Sequence, residues 1–136
     1  SEWDTSKVTS MSRMFQNAVL FNQEISNWNV SMVINIAFMF YNNALFNSDI
    51  SGWDTQQVTT MSSMFYGATS FDQPIGKWTT TNVTDMTTMF YGATAFNQSL
   101  YNWGKPFQMT PDLVRPLSTL MYPICYTERL RYNTKY

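Results

Sequence analysis

The sequence predicts an α/β repeat fold, a solenoid of four to five 25-residue coils, each a short helix followed by a short parallel strand. The first observation behind this is a tryptophan column: Trp3, Trp28, Trp53, Trp78 and Trp103 recur every 25 residues without slippage. The second is a set of apolar columns at the same period. Val8, Val33, Val58 and Val83 form one, and Met11, Ile36, Met61 and Met86 the next. Met14, Met39, Met64 and Met89 each precede a phenylalanine, Phe15, Phe40, Phe65 and Phe90. Phe21, Phe46, Phe71 and Phe96 follow, then Ile25, Ile50, Ile75 and Leu100. A unit of this size buries its apolar face only by stacking on its neighbours.

Within each unit, the segment from Val8 to Phe15 places apolar residues at i, i+3, i+6 and i+7. That spacing approximates one helical face, with polar residues at the remaining positions. Thr5, Ser6 and Thr55 supply hydroxyls where a helix N-cap is wanted. Gly67 and Gly92 stand where such a helix would stop, and Asn17 and Asn42 replace them in the first two copies, Asn also tolerating the left-handed conformation. The stretch Ile25 to Trp28 is too short for a second helix and predicts a strand pairing in parallel with the next copy at about 4.8 Å. The same spacing gives a rod about 20–25 Å long.

The domain reading is a repeat body over residues 1–103, with units 3–27, 28–52, 53–77 and 78–102 and a partial fifth from 103. Residues 104–136 form a C-terminal cap or docking tail. Pro106, Pro111, Pro116 and Pro123 exclude one long helix there. Thr110-Pro111-Asp112 reads as a helix start, with Leu113, Leu117, Leu120, Met121 and Ile124 as an apolar face over the open end of the array. Arg129, Arg131, Tyr132 and Tyr136 are candidate partner contacts, because the last stretch is too polar and aromatic to be purely core.

Composition narrows the function classes. The chain is 12% charged and 17% aromatic, which is far from disorder. Residues 1–104 carry three basic against seven acidic groups, net −4, and residues 105–136 five against two, net +3. A deficit of this kind along the body does not favour nucleic acid. The single cysteine, Cys125, excludes an internal disulfide, and no apolar run is long enough to span a membrane as a helix. The first residues, Ser1-Glu2-Trp3, fall inside the repeat pattern and read as a processed or truncated start.

Catalysis is not expected. The chain has no histidine, which removes the usual general base and the usual zinc ligand. Asp4, Glu24, Asp49, Asp54, Asp72 and Asp85 could pair for glycoside hydrolysis only if brought together. Asp4 and Asp54 instead hold the same repeat position two coils apart. No catalytic residue, metal ligand or cofactor site is assigned.

Two columns offer binding candidates. Trp28, Trp53 and Trp78 form either a stacked core edge or a partly exposed platform for sugars or a partner chain. Gln73 and Gln98 follow the column Asn22, Asn47, Asp72 and Asn97 and read as stacking ladders or as a recognition strip.

The phrase Trp-Asp-Thr-x-x-Val-Thr-x-Met-Ser-x-Met-Phe, from Trp53 to Phe65, resembles the BspA-like leucine-rich-repeat surface proteins of mycoplasmas, other bacteria, protists and large algal viruses. Gly67-Ala68-Thr69-Ser70-Phe71-Asp72-Gln73 is similar to that family's "GATSFNQ" signature. The second copy departs most, with Asn29-Val30 in place of Asp-Thr and Asn43 in place of Ala. The resemblance implies a right-handed, leucine-rich-repeat-like solenoid used in adhesion or assembly, with no shared catalytic residues. The expected role is a noncatalytic interaction or structural module at a cell surface or in a virus particle, with secretion as the alternative. Its expected partners are other proteins of a larger assembly or a host-surface receptor. Adhesion to a host glycan through the repeat face is the second reading.

Overall fold

A computed structural model describes residues 3–100, 102 and 103. Over this range the chain winds in coils of 25 residues laid one upon the next, but the coils contain no helix-and-strand unit. Among the described residues the one regular helix is a three-residue 3-10 turn, Ile75–Lys77. Between described residues, strand pairing consists of single parallel bridges, Ser10 to Asn35, Asn35 to Thr60 and Thr60 to Asp85. The α/β, leucine-rich-repeat-like fold class is thereby overturned.

The reason lies in where the amides go. An α-helix needs each interior N–H to bond the carbonyl four residues back. Here the N–H groups of Met11, Arg13, Phe15 and Asn17 leave their coil and donate to the carbonyls of Asn35, Ala37, Met39 and Tyr41 at 2.8–3.0 Å. The intervening amides of Met14, Gln16 and Ala18 close tight turns onto the carbonyls of Met11, Arg13 and Phe15 at 3.0–3.2 Å. The second and third coils repeat the alternation: Phe40 donates to the Met64 carbonyl at 3.0 Å and Phe65 to that of Met89 at 2.9 Å. The i, i+3 apolar spacing therefore records a run of three-residue turns. A segment this short is a poor helix on its own, because nucleation is costly. A stacked neighbour with four open carbonyls offers its amides better partners.

Each coil also bends twice through the left-handed region. One column, Arg13, Phe38, Ser63 and Thr88, has φ of 52–63°, and the other, Asn17, Asn42, Gly67 and Gly92, has φ of 55–74°. A left-handed residue every fourth position is incompatible with a right-handed helix. The Asn and Gly positions take the conformation their residue types suit, yet they end turns, not helices. The expected caps are redirected in the same way. Thr5 Oγ1 accepts from the amide of Asn29 at 2.9 Å, and Thr55 Oγ1 donates to the carbonyl of Thr79 at 2.9 Å, so both hydroxyls join coils. The strand expected over Ile25 to Trp28 is another turn, closed by the Trp28 amide on the Ile25 carbonyl at 3.1 Å.

The core fills the inside of the coils with the predicted columns. Val33, Val58 and Val83, Met39, Met64 and Met89, and Phe40, Phe65 and Phe90 are all buried. Phe15, Phe40, Phe65 and Phe90 stack at 5.7–5.8 Å between ring centroids, and Phe21, Phe46, Phe71 and Phe96 at 5.8–6.1 Å. Inside each coil the two rings meet more closely, at 3.7 Å for Phe40 and Phe46. Each buried Phe or Met contributes about 1.5–3 kcal/mol through removal from water, so the columns dominate the stability of every coil. The helix start at Thr110 and the cap-or-tail reading of 104–136 fall outside the described residues.

Candidate interaction surface

The outside of the coils is built largely from side chains that serve their own backbone. Three kinds of short turn recur along the stack. In the first, Asp4 Oδ1 accepts from the Ser6 amide at 3.0 Å and from its hydroxyl at 2.6 Å. In the second, Asp85 accepts from the Thr87 amide at 2.9 Å, a place held by Asn35 in the second coil. In the third, Glu24 accepts from the Ser26 amide at 2.8 Å and Asp49 from that of Ser51 at 2.9 Å. The serine hydroxyls and then the serine amides lower the pKa of Asp4, Glu24 and Asp49 below the ordinary carboxylate values. Each carboxylate is thus an ionised acceptor engaged with its own turn.

The Asn column runs as a ladder. Asn22 Oδ1 takes the amide of Asn47 at 2.8 Å, Asn47 Oδ1 that of Asp72 at 2.9 Å, and Asp72 Oδ1 that of Asn97 at 2.8 Å. Gln73 and Gln98 belong to it: their Nε2 atoms donate to Asn47 and Asp72 respectively, to backbone carbonyl and side-chain oxygen alike, at 2.9–3.2 Å. Neither amide group is a free recognition element.

The tryptophans point inward. Trp53 and Trp78 are buried, and their indole N–H groups donate to the carbonyls of Ile25 and Ile50 at 3.2 and 3.0 Å. Trp78 stacks between Trp53 and Trp103 at 6.3 and 6.5 Å. Buried in this way the rings offer no open face, so the exposed-platform reading fails at Trp53 and Trp78. Trp28 is half-buried under Trp3, at 5.8 Å. Arg129, Arg131, Tyr132 and Tyr136 lie outside the described residues.

The structure turns attention to other residues. Val19, Leu20 and Leu45 are 50%, 78% and 48% exposed. Leu20 and Leu45 occupy one column in adjacent coils, and Val19 adjoins Leu20. Met32 and Ile34 form a second exposed apolar pair in the second coil. In the third and fourth coils the corresponding columns read Thr69 and Thr94, Ser70 and Ala95, Gln57 and Asn82, Thr59 and Thr84. The signal in the sequence lies in the departures from the repeat and not in its recurring columns. A tyrosine ladder, Tyr41, Tyr66 and Tyr91, also stands on the outside with rings 4.7 and 4.9 Å apart. Its ring faces cover each other and leave mainly edges and hydroxyls outward. Next to it Arg13 lies 4.4 Å over the ring of Phe38.

Among the described residues no three His, Cys, Asp or Glu side chains gather as metal ligands, and no helix is long and apolar enough to cross a membrane. Apart from Tyr91, the exposed large apolar side chains among the described residues lie on the first two coils. A family model described as "Mycoplasma protein of unknown function, DUF285" matches residues 1–103. No curated protein and no solved structure matches the chain.

Proposed function

Because the chain belongs to this family of mycoplasma proteins of unknown function, matched over residues 1–103, we propose a role for it from its surface: a noncatalytic protein–protein interaction module. The observation that carries this reading is the apolar row Val19, Leu20 and Leu45, exposed on the first two coils and replaced by Thr, Ser and Ala on the next two. The core needs nothing from these positions, since the third and fourth coils stack without them. Exposed apolar residues that cluster on one region mark contact surfaces more often than residues scattered singly. A rigid stack presents such a row with little ordering cost on binding.

The finer setting proposed is a component of a cell surface or virus-particle assembly, supported by the resemblance of Trp53 to Gln73 to BspA-like surface repeats. Glycan recognition through the tryptophan and glutamine columns is less well supported, because Trp53 and Trp78 are buried and Gln73 and Gln98 are engaged in the ladder. The test is cross-linking mass spectrometry in native source material, using Lys7 in the first coil as the reporter. The native chain is compared with a Leu20→Ser/Leu45→Ser variant that copies the third coil. Loss of Lys7 cross-links to other polypeptides in the variant supports the reading. Unchanged cross-links, or none in the native chain, refute it.

A further inference from the structure

We propose that the corner where the third coil passes into the fourth binds a carboxylate supplied from outside the chain, by an acidic side chain or a free organic acid. In the first three coils the corresponding corner brings its own acceptor. Asp4 Oδ1 takes the Ser6 amide and hydroxyl at 3.0 and 2.6 Å, and Asn29 Oδ1 takes those of Ser31 at 3.0 and 2.7 Å. Asp54 Oδ1 takes the Gln56 amide at 3.1 Å. The fourth coil has Thr79 in that column, with Thr81 two residues on. Threonine carries its oxygen one bond nearer the backbone than aspartate does. No described residue accepts a hydrogen bond from the Thr81 amide or hydroxyl. Thr81 thus keeps both donors that grip an oxygen in the first and second coils, and the oxygen is missing.

The charge changes sign at the same place. The turn just before this corner is closed by Glu24 in the first coil and by Asp49 in the second, but Pro74 stands there in the third. Lys77 enters a column otherwise held by Asn27, Gly52 and Asn102. Two acidic acceptors are therefore lost and a cation is gained within six residues of chain. An open-sided cavity of about 490 Å³ lies at this corner, lined by Lys77, Thr79, Thr81 and Asn102, with Trp78 in its wall. It has room for a carboxylate and for the group that carries it.

The donors select the ligand. An amide, a hydroxyl and an ammonium group converge on one cavity, and hydrogen bonds to an ionised acceptor are stronger than those to a neutral one. The chain itself fills this place with a carboxylate in the first and third coils, at Asp4 and Asp54. Two carboxylates flank the site, and neither forbids a third. Asp54 would face the ligand from the adjacent coil, as Asp49 faces Glu24. Those two stay ionised side by side, because their serine partners lower both pKa values more than Asp49 raises that of Glu24. Lys77 helps to lower the pKa of Asp49, but Asp49 Oδ1 is already occupied by the Ser51 amide. The corner shares no residue with the Val19, Leu20 and Leu45 row, so the two readings stand or fall separately.

The test is a titration of the full chain with sodium acetate, read from backbone amide resonances at constant ionic strength set with sodium chloride. Acetamide serves as the neutral control. The Thr81 amide is expected to shift saturably with acetate and less with acetamide, while the Ser6, Ser31 and Gln56 amides, already bonded, stay in place. Lys77→Gln should weaken the apparent affinity about two- to fivefold, the share of an exposed ion pair. Thr79→Asp copies the first and third coils and supplies the acceptor from within. In that variant the Thr81 amide should ignore acetate and exchange with solvent as slowly as that of Gln56. A blocked aspartate peptide that binds more tightly than acetate assigns the site to an acidic side chain, and equal affinity assigns it to a free acid. A Thr81 amide that answers acetate no more than chloride overturns the inference, as does an undiminished response in Thr79→Asp.

Discussion

Asn43 occupies in the second coil the place that Ala18, Ala68 and Ala93 take in the others, and it is buried with neither side-chain nitrogen nor oxygen hydrogen-bonded. A buried amide left unpaired costs more than its packing returns, so Asn43→Ala is expected to raise stability by about 1 kcal/mol, seen as a higher urea midpoint with unchanged slope. Gly67 shows the opposite constraint. It sits at φ 69°, and an added Cβ would run into the Asn42 side-chain oxygen, whereas at Gly92 the nearest atoms stand at an ordinary 3.5 Å. Gly67→Ala should therefore cost about 1–3 kcal/mol and more than Gly92→Ala, which bears the dihedral strain alone. The Gly and Asn column was legible in the sequence because those residue types favour left-handed backbone. The companion column was not, since nothing in Phe38 or Thr88 announces φ of 59° or 52°. Those residues are held there by bonds between coils, such as Ser63 Oγ to Thr88 Oγ1 at 2.7 Å.

Turns and ladders are the working elements of each coil, and acid tests them. Serine hydroxyls and amides depress the pKa of Asp4, Glu24 and Asp49 in the folded state. Their contribution is fully present above the ordinary carboxylate range and is lost as pH falls through that range toward the lowered folded values. The melting temperature should fall on acidification in that window, and Asp49→Asn should flatten the fall. In the Asn ladder, Asn47 Oδ1 holds both the Asp72 amide and Gln73 Nε2, at 2.9 and 3.0 Å. Asn47→Ala should cost about 1–2 kcal/mol in a denaturation curve. At this scale the sequence misled. Met11, Met14 and Phe15 lie at helical intervals, and no local signal reveals that the amides of Arg13 and Phe15 belong to the next coil. The ladder was readable, since an Asn repeated at a fixed place in a stack has an obvious acceptor role.

For the whole molecule, stability is a sum over coils and the contacts between them. The second and third coils are bonded into the coil that follows, so native-state hydrogen exchange should find the Phe40 and Phe65 amides, held by the Met64 and Met89 carbonyls, more protected than the Ser26 and Ser51 amides, held by exposed carboxylates. Equal protection of the two sets would contradict this. The 25-residue period and the core columns were plain in the sequence. The exposed apolar row was not, because Leu20 and Leu45 resemble core residues until the coils show which way they face.

The fixed reach of the bonds between coils bears on how such a gene can change length. The Phe40 amide finds the Met64 carbonyl and the Phe65 amide that of Met89, always the same distance along the chain. Coding DNA lost or gained in whole coils rejoins every pair with an equivalent partner, while a change of one codon sets every bond that spans it one residue out of register. Recombination between neighbouring repeats would thus lengthen or shorten the stack freely, and single-codon insertions inside it would be purged.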